Sequence, residues 1–155
     1  ETLLQEAGVV LDPKTKGAKV NAHMETSIPH VYACGNALHV HDLVDDVCME
    51  ARVAGASAIK DMEKKTEEAC TEVIAEGEIS YVVPQHITTH EKEDVIFSFR
   101  VKRPLHHALI TFENKTGVFQ QIRKKVLLPS QMQRILCKKE ALDGHGAIWV
   151  KVREE

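Results

Sequence analysis

The sequence contains little cysteine, and none of it forms a C-x-x-C pair. Its four cysteines are scattered along 155 residues, at Cys34, Cys48, Cys70 and Cys137. Secreted disulfide scaffolds are usually smaller and denser in cysteine. We therefore expect free thiols in a reducing cytoplasm and no redox-active dithiol on this chain.

Other absences narrow the range of functions. No apolar run reaches the roughly 20 residues that a membrane-spanning helix requires, and no secretory signal opens the chain. The net charge is −3, which gives no reason to expect nucleic acid as a partner. No G-x-G-x-x-G dinucleotide fingerprint occurs either. We predict a cytoplasmic chain without a membrane span.

The first part of the chain alternates short apolar runs with turns and then changes to a helical pattern. Residues 8–12, 19–20 and 30–34 are each predicted to form a short strand. Over residues 42–65, apolar and small residues recur at spacings of three and four, which indicates one long helix. The small residues predict close packing against another backbone, with Cys48 on the buried face.

The second part of the chain has the periodicity of strands. Residues rich in Val, Ile, Phe and Tyr are concentrated at 79–83, 95–101, 108–112, 118–128 and 147–152. Residues 114–117 and 143–146 have the composition of turns. Residues 131–142 fit either a helix or another strand, and we favour the strand.

These patterns predict an α+β chain with two parts. Residues 1–70 combine short strands with one long helix. Residues 71–155 are expected to form a small antiparallel β-sandwich or barrel. The charged stretch at residues 64–68 predicts a boundary between residues 64 and 77. Because the chain begins at Glu1 and apolar residues follow almost at once, we expect it to be a piece of a longer protein.

One motif is specific enough to suggest a family. Residues 26–36 read T-S-I-P-H-V-Y-A-C-G-N, and a helix carrying Ala51 and Gly55 follows. The combination resembles the second flavin-binding motif of the FAD/NAD(P)-dependent pyridine-nucleotide (disulfide-type) oxidoreductases, where many members read T-S-x-P-x-V-F/Y-A-x-G-D. The resemblance covers residues 1–65. It implies that this part is the C-terminal portion of an α/β FAD-binding domain.

The resemblance also implies which residues contact FAD. Gly35 would let the backbone pass close to the ligand, because it has no Cβ. Asn36 stands where the family usually has Asp, and its amide keeps an acceptor oxygen for a ribityl hydroxyl. The helix start at Asp42, Leu43 and Val44 would face the pyrimidine edge of the flavin ring, where backbone N–H groups favour negative charge.

The segment His39-Val40-His41-Asp42 raises two further hypotheses. Two His at i and i+2 point the same way on a strand, and Asp42 would be a third metal ligand. We favour the alternative that this loop lies along the flavin and holds no metal. A proton-transfer role for His39 or His41 beside the ring is then the better hypothesis, and these two are the candidate catalytic residues.

By this resemblance the chain is part of a flavin-dependent oxidoreductase that passes electrons between NAD(P)H and a small-molecule or protein partner. FAD is the implied cofactor, and NAD(P) would bind the full-length protein. Its partners would be the upstream FAD- and NAD(P)-binding part of the same protein and a partner redox subunit. The alternative is a non-catalytic binding or assembly domain of a larger flavoprotein.

The isolated chain is expected to be inactive and to bind FAD weakly or not at all. The glycine-rich motif that holds the FAD pyrophosphate in this family is absent from the 155 residues. Titration of the purified chain with FAD, followed by absorbance and by equilibrium dialysis, checks this. A purified chain that carries stoichiometric yellow flavin would contradict it.

Overall fold

The computed structural model describes residues 2–63, 69–142 and 146–155. The chain divides into two compact units, Glu1–Glu68 and Ala69–Glu155, here called unit 1 and unit 2. The predicted charged boundary at residues 64–68 and most of the predicted turn at 143–146 lie outside the described residues. The mixture of helices and two sheets is that of an α+β chain.

Unit 1 is built around one long helix. A short helix α1 (Thr2–Glu6), a 3-10 helix (Gly35–Ala37) and the 20-residue helix α2 (Val44–Glu63) follow in order. The helix predicted over residues 42–65 is therefore confirmed, with a start two residues later. Asp45 and Asp46 occupy its first turn and Lys60 its last, the polarity that suits the helix dipole.

The three short strands predicted for unit 1 are wrong. Only two isolated bridges form there, Leu11 with Ala18 and Glu25 with Tyr32. Tight turns explain this, because the Asp12 carboxylate accepts the backbone N–H of Lys14 at 2.7 Å and closes the first loop at once. These apolar runs pair with their own neighbours across turns and add no strand to a sheet within the described residues.

The predicted buried face of α2 is mostly exposed. Ala54 is buried on this helix, whereas Ala51, Gly55 and Cys48 are exposed. A Cβ built on Gly55 meets nothing within 4 Å. The predicted close packing of the small residues is therefore not seen at Ala51 and Gly55, although Ala54 is buried. The packed side of α2 instead faces the 3-10 helix, where a Cβ on Gly35 would lie 3.1 Å from Val47 Cγ1.

The described residues of unit 2 form eight strands and one short helix. The elements are β1 (Cys70–Gly77), β2 (Ile79–Val83), β3 (His86–Thr88), β4 (Val95–Val101), β5 (Leu105–Asn114), β6 (Gly117–Leu127), β7 (Gln133–Cys137), α3 (Lys139–Leu142) and β8 (Ile148–Glu154). The five strands predicted for this region are confirmed. Strands β1 and β3 were not predicted. The ambiguous segment at residues 131–142 contains both a strand, β7, and a helix, α3.

The strands form two sheets. One has the order β3-β1-β8-β5-β6 and the other β2-β4-β7. All of the neighbouring strands are antiparallel except β1 and β8, which pair in parallel from Val73 with Ile148 to Gly77 with Val152. The prediction of a purely antiparallel domain is therefore wrong at this pair, because β1 lay in the segment interpreted as a linker.

The core of unit 2 lies between the two sheets. Phe97 of β4 and Phe112 of β5 are fully buried, and their ring centroids are 5.6 Å apart. Strand β4 shows why, because the alternate residues Val95, Phe97, Phe99 and Val101 are all buried. This face-to-face packing is that of a sandwich rather than a closed barrel. Among the described residues, no helix is long and apolar enough to cross a membrane.

Gly17 is the position in unit 1 where an added methyl group meets backbone most closely. A Cβ there would lie 2.1 Å from the Leu38 carbonyl oxygen and 2.6 Å from that of Ala37. We expect Gly17→Ala to lower the free energy of unfolding by about 2 kcal/mol or more, because neither carbonyl is the end of a flexible side chain.

The matched control is Gly55→Ala on α2, which meets no atom and is expected to raise stability by roughly 0.5–1 kcal/mol. Urea denaturation of the two variants followed by circular dichroism measures both effects. A Gly17→Ala chain as stable as the parent would mean that the loop does not approach Leu38 this closely.

Candidate functional site

The candidate site is the turn at the end of the flavin-like motif. Cys34 is extended, with φ −151° and ψ 170°, and Gly35 then adopts a left-handed φ of 63°. A residue with a side chain rarely adopts that conformation, so the turn favours glycine. The backbone N–H of Leu38 donates to the Gly35 carbonyl at 2.9 Å and closes the 3-10 helix.

A single carboxylate holds this turn together. The backbone N–H of Gly35 donates to Glu50 Oε2 at 2.8 Å. The His41 Nε2 atom lies 3.0 Å from the same oxygen, and His39 Nε2 lies 2.9 Å from Glu50 Oε1. Glu50 therefore ties α2 to the loop at three points. We call His39, His41 and Glu50 the imidazole–carboxylate cluster.

The cluster is buried. The side chains of His39, His41 and Glu50 are 1%, 3% and 7% exposed. The two imidazole rings meet edge to face, with their centroids 4.4 Å apart. Among the described residues, His41 Nδ1 has no hydrogen-bond partner although it is buried. Buried polar atoms are nearly always paired, so this nitrogen is an unusual feature of the site.

Two pKa values are shifted at the site. Burial alone would raise the pKa of Glu50, but the hydrogen bonds from His39 and Gly35 and the charge interactions with both imidazoles lower it below its ordinary value of 4.5. Glu50 is therefore a carboxylate at neutral pH. Burial, and then the charge of Glu50, raise the pKa of the Cys34 thiol. A protonated thiol suits the packing role expected of Cys34.

The structure brings together some of the predicted site residues and separates others. Gly35 lies against Glu50 in the interior, beside both histidines. The other predicted FAD-contacting residues are exposed around the turn and the helix start: Asn36, Asp42, Leu43 and Val44. Asp42 is not the third member of the histidine cluster.

Glu50 was missed in the sequence. Its signal is an acidic residue within the apolar stripe of a helix, three residues after Val47 and four before the buried Ala54. Residues at these spacings share one helix face. A carboxylate on that face is costly to bury unless it is hydrogen-bonded. Its position is therefore the signal from which polar partners could have been inferred. The identity of the partners depended on how the loop folds.

A second cluster ties the motif to the far end of α2. The Tyr32 hydroxyl donates to Asp61 Oδ2 at 2.8 Å, and His30 Nδ1 contacts the same oxygen. The backbone N–H of His30 donates to Glu25 Oε1 at 2.9 Å. Burial and the bond to Asp61 raise the pKa of Tyr32. These contacts fix the position of the segment before Gly35, although the His30 side chain is 66% exposed.

Comparison with known proteins gives a limited match. No family model matches the chain. A stretch of 55 residues is 42% identical to the dihydrolipoyl dehydrogenase of Bacillus subtilis (strain 168). The match covers 36% of this chain and 12% of that enzyme. It supports a relationship to the pyridine-nucleotide disulfide oxidoreductases at the level of the family only. The name of the matched enzyme points to the oxidoreductase class.

Removal of the Glu50 carboxylate is expected to loosen the turn. Glu50→Ala leaves the Gly35 N–H and two imidazoles without their acceptor, so the free energy of unfolding should fall by about 2–4 kcal/mol. Denaturant titration measures this loss. Amide hydrogen exchange at Gly35 measures the local effect and should become faster.

Glu6→Ala is the matched control, because Glu6 is an exposed carboxylate of the same unit. It should change stability by less than about 0.5 kcal/mol. Equal losses in the two variants, or unchanged exchange at Gly35 in Glu50→Ala, would show that the carboxylate does not hold the turn.

Proposed function

We propose that this chain supplies the flavin-ring side of an FAD site in an oxidoreductase that passes electrons between NAD(P)H and a small-molecule or protein partner. The observation that carries the proposal is the course of residues 26–36. They resemble a flavin-binding motif and end in a turn that favours glycine at Gly35, nine residues before helix α2 begins at Val44. The partial similarity to dihydrolipoyl dehydrogenase supports the same class.

Gly35 and Asn36 are proposed to contact the ribityl part of FAD. The turn is fixed from inside by Glu50, which accepts the N–H of the buried Gly35. Asn36 is exposed directly beside it. Its amide offers both an acceptor and donors to a hydroxyl group, whereas the Asp of related motifs offers only an acceptor when ionised. The contact therefore does not need the negative charge.

The start of α2 is proposed to face the flavin ring. Asp42, Leu43 and Val44 lie at the start of the helix, and all three are exposed. Together with exposed Val40, Leu43 and Val44 offer an apolar surface that suits a planar ring. The N–H groups of the first turn would stabilise negative charge that develops on the ring upon reduction. Exposed Asp45 is screened by solvent and opposes this effect only weakly.

The proposal requires further protein. An upstream part of the same protein would bind the FAD pyrophosphate and NAD(P), and a partner redox subunit would receive or supply electrons. The chain alone is proposed to be inactive. The proton-transfer role of His39 or His41 stays a prediction. Their Nε2 atoms are engaged by Glu50, so such a role would use the other ring nitrogen.

Unit 2 favours the alternative function of a binding or assembly domain. Among the described residues, both groups of three potential metal-ligating side chains lie in unit 1. The buried residues of unit 2 are dominated by a sandwich core of Val, Ile, Leu and Phe. A module of this kind supports contacts with other domains rather than chemistry, and it is compatible with a catalytic role for the larger protein.

The residues encoded upstream of Glu1 provide the first test of the proposal. An FAD-dependent NAD(P) oxidoreductase should carry two glycine-rich fingerprints there, each between a predicted strand and a helix. An upstream sequence without either fingerprint would leave only a likeness of fold in residues 1–65 and would remove the oxidoreductase assignment.

The contact made by Asn36 can be tested in the full-length protein. Asn36→Leu removes both hydrogen-bonding groups and should weaken FAD binding about tenfold, because a lost hydrogen bond to a ligand costs roughly 1–2 kcal/mol. Asn36→Asp should retain binding. The affinity is measured by titrating the apoprotein with FAD and following flavin fluorescence.

Gln131→Leu is the matched control, since it replaces an exposed amide by the same apolar residue in unit 2. It should leave FAD affinity unchanged. Equal weakening in the two leucine variants, or none in Asn36→Leu, would contradict the proposed contact.

A further inference from the structure

The imidazole–carboxylate cluster has the composition of a metal site. Two imidazole nitrogens and one carboxylate oxygen, contributed by His39, His41 and Glu50, all lie within 4.8 Å of one another. Both histidines direct the same ring nitrogen, Nε2, towards the same carboxylate. We propose that this cluster binds one divalent transition-metal ion. Zn²⁺ is the ion for which the site is argued and tested. The proposal is independent of the flavin proposal.

The ligand types select the class of metal. Ca²⁺ and Mg²⁺ take oxygen ligands almost exclusively. Two imidazoles with one carboxylate suit Zn²⁺ and neighbouring divalent ions such as Co²⁺. The sequence hypothesis of a metal at the two histidines named Asp42 as the third ligand, but Asp42 is exposed and Glu50 takes that position. A third ligand from helix α2 is more rigidly placed than one from the loop.

The distances are compatible with a shared metal. In the tetrahedral geometry of a Zn²⁺ site, ligand atoms about 2.1 Å from the metal lie about 3.4 Å from each other, a little more than a hydrogen-bond distance. The two Nε2 atoms lie 2.9 and 3.0 Å from oxygens of Glu50. With small movements, each Nε2 would ligate the metal through its lone pair, and each ring would keep its proton on Nδ1. The rings meet edge to face with their centroids 4.4 Å apart, and their Nε2 atoms contact opposite oxygens of the same carboxylate.

The surroundings of the cluster also fit. Metal-ligating carboxylates are usually held by a further hydrogen bond, and the Gly35 N–H holds Glu50 Oε2 at 2.8 Å. All three side chains are more than nine-tenths buried. The buried Glu50 carboxylate carries one negative charge, which a divalent cation compensates. The site is thus formed before the metal arrives.

The second group of three ligating residues is a weaker candidate. Glu25, His30 and Asp61 also lie within 4.8 Å of one another. They provide only one imidazole, which is 66% exposed, and Asp61 already accepts the Tyr32 hydroxyl at 2.8 Å. Exposed acidic groups of this kind are common without a metal. This second group provides a matched control, because His30→Gln removes one imidazole from the same unit without touching the cluster.

The test uses the untagged 155-residue chain, stripped with a chelator and titrated with Zn²⁺ or Co²⁺ alone. We expect one metal per chain by elemental analysis after dialysis, and a Co²⁺ absorption spectrum in the visible range. His41→Gln should weaken Zn²⁺ binding at least tenfold, and His30→Gln should leave it unchanged. Circular dichroism shows whether each variant is folded.

Glu50→Gln serves as a second ligand variant, because it keeps the shape of the side chain and some of its hydrogen bonds. A folded Glu50→Gln chain should also bind at least tenfold more weakly. No stoichiometric metal in the parent chain would overturn the proposal and leave a hydrogen-bonded cluster. Retention of metal by His41→Gln together with its loss in His30→Gln would also overturn the proposal. The metal would then belong to the group of Glu25, His30 and Asp61.

Discussion

The structure of unit 1 depends on one buried carboxylate. Glu50 stands on the packed side of α2 and accepts hydrogen bonds from the turn that the helix must hold. These bonds join the helix to the loop at three points. They also define which side of the turn faces inwards. The side that carries Asn36 is exposed because Gly35 and the histidines are drawn to Glu50.

The sequence predicted those features of unit 1 that are local. The long helix followed from its spacing and its charged ends. The motif predicted a glycine at Gly35 for close approach to a ligand, whereas the left-handed φ of that residue was not predicted. The strands predicted at residues 8–12, 19–20 and 30–34 do not form, because a strand requires a partner and apolar composition alone does not provide one. Glu50 is an acid on an apolar helix face, but the sequence did not indicate that a loop 9 to 15 residues earlier would supply its donors.

In unit 2, too, the strands with a local pattern were predicted, and those that depend on distant partners were not. Strand β4 has a strong alternating pattern and was found, with Phe97 and Phe99 in the interior. Strand β1 reads C-T-E-V-I-A-E-G and has two acids among its eight residues. Its partners are β3 and β8, so its identity depends on residues far along the chain. The parallel pairing had no local signal at all.

The central place of β8 has a consequence for synthesis of the protein on the ribosome. This strand lies between β1 and β5 in the larger sheet, yet it is the last strand of the described chain to be translated. Until it emerges, β1 and β5 lack the neighbour that joins them, and their edges are open to other chains. Completion of this sheet therefore has to wait for β8, whereas the contacts of Glu50 join residues only 9 to 15 positions apart and can form while the second unit is still being made.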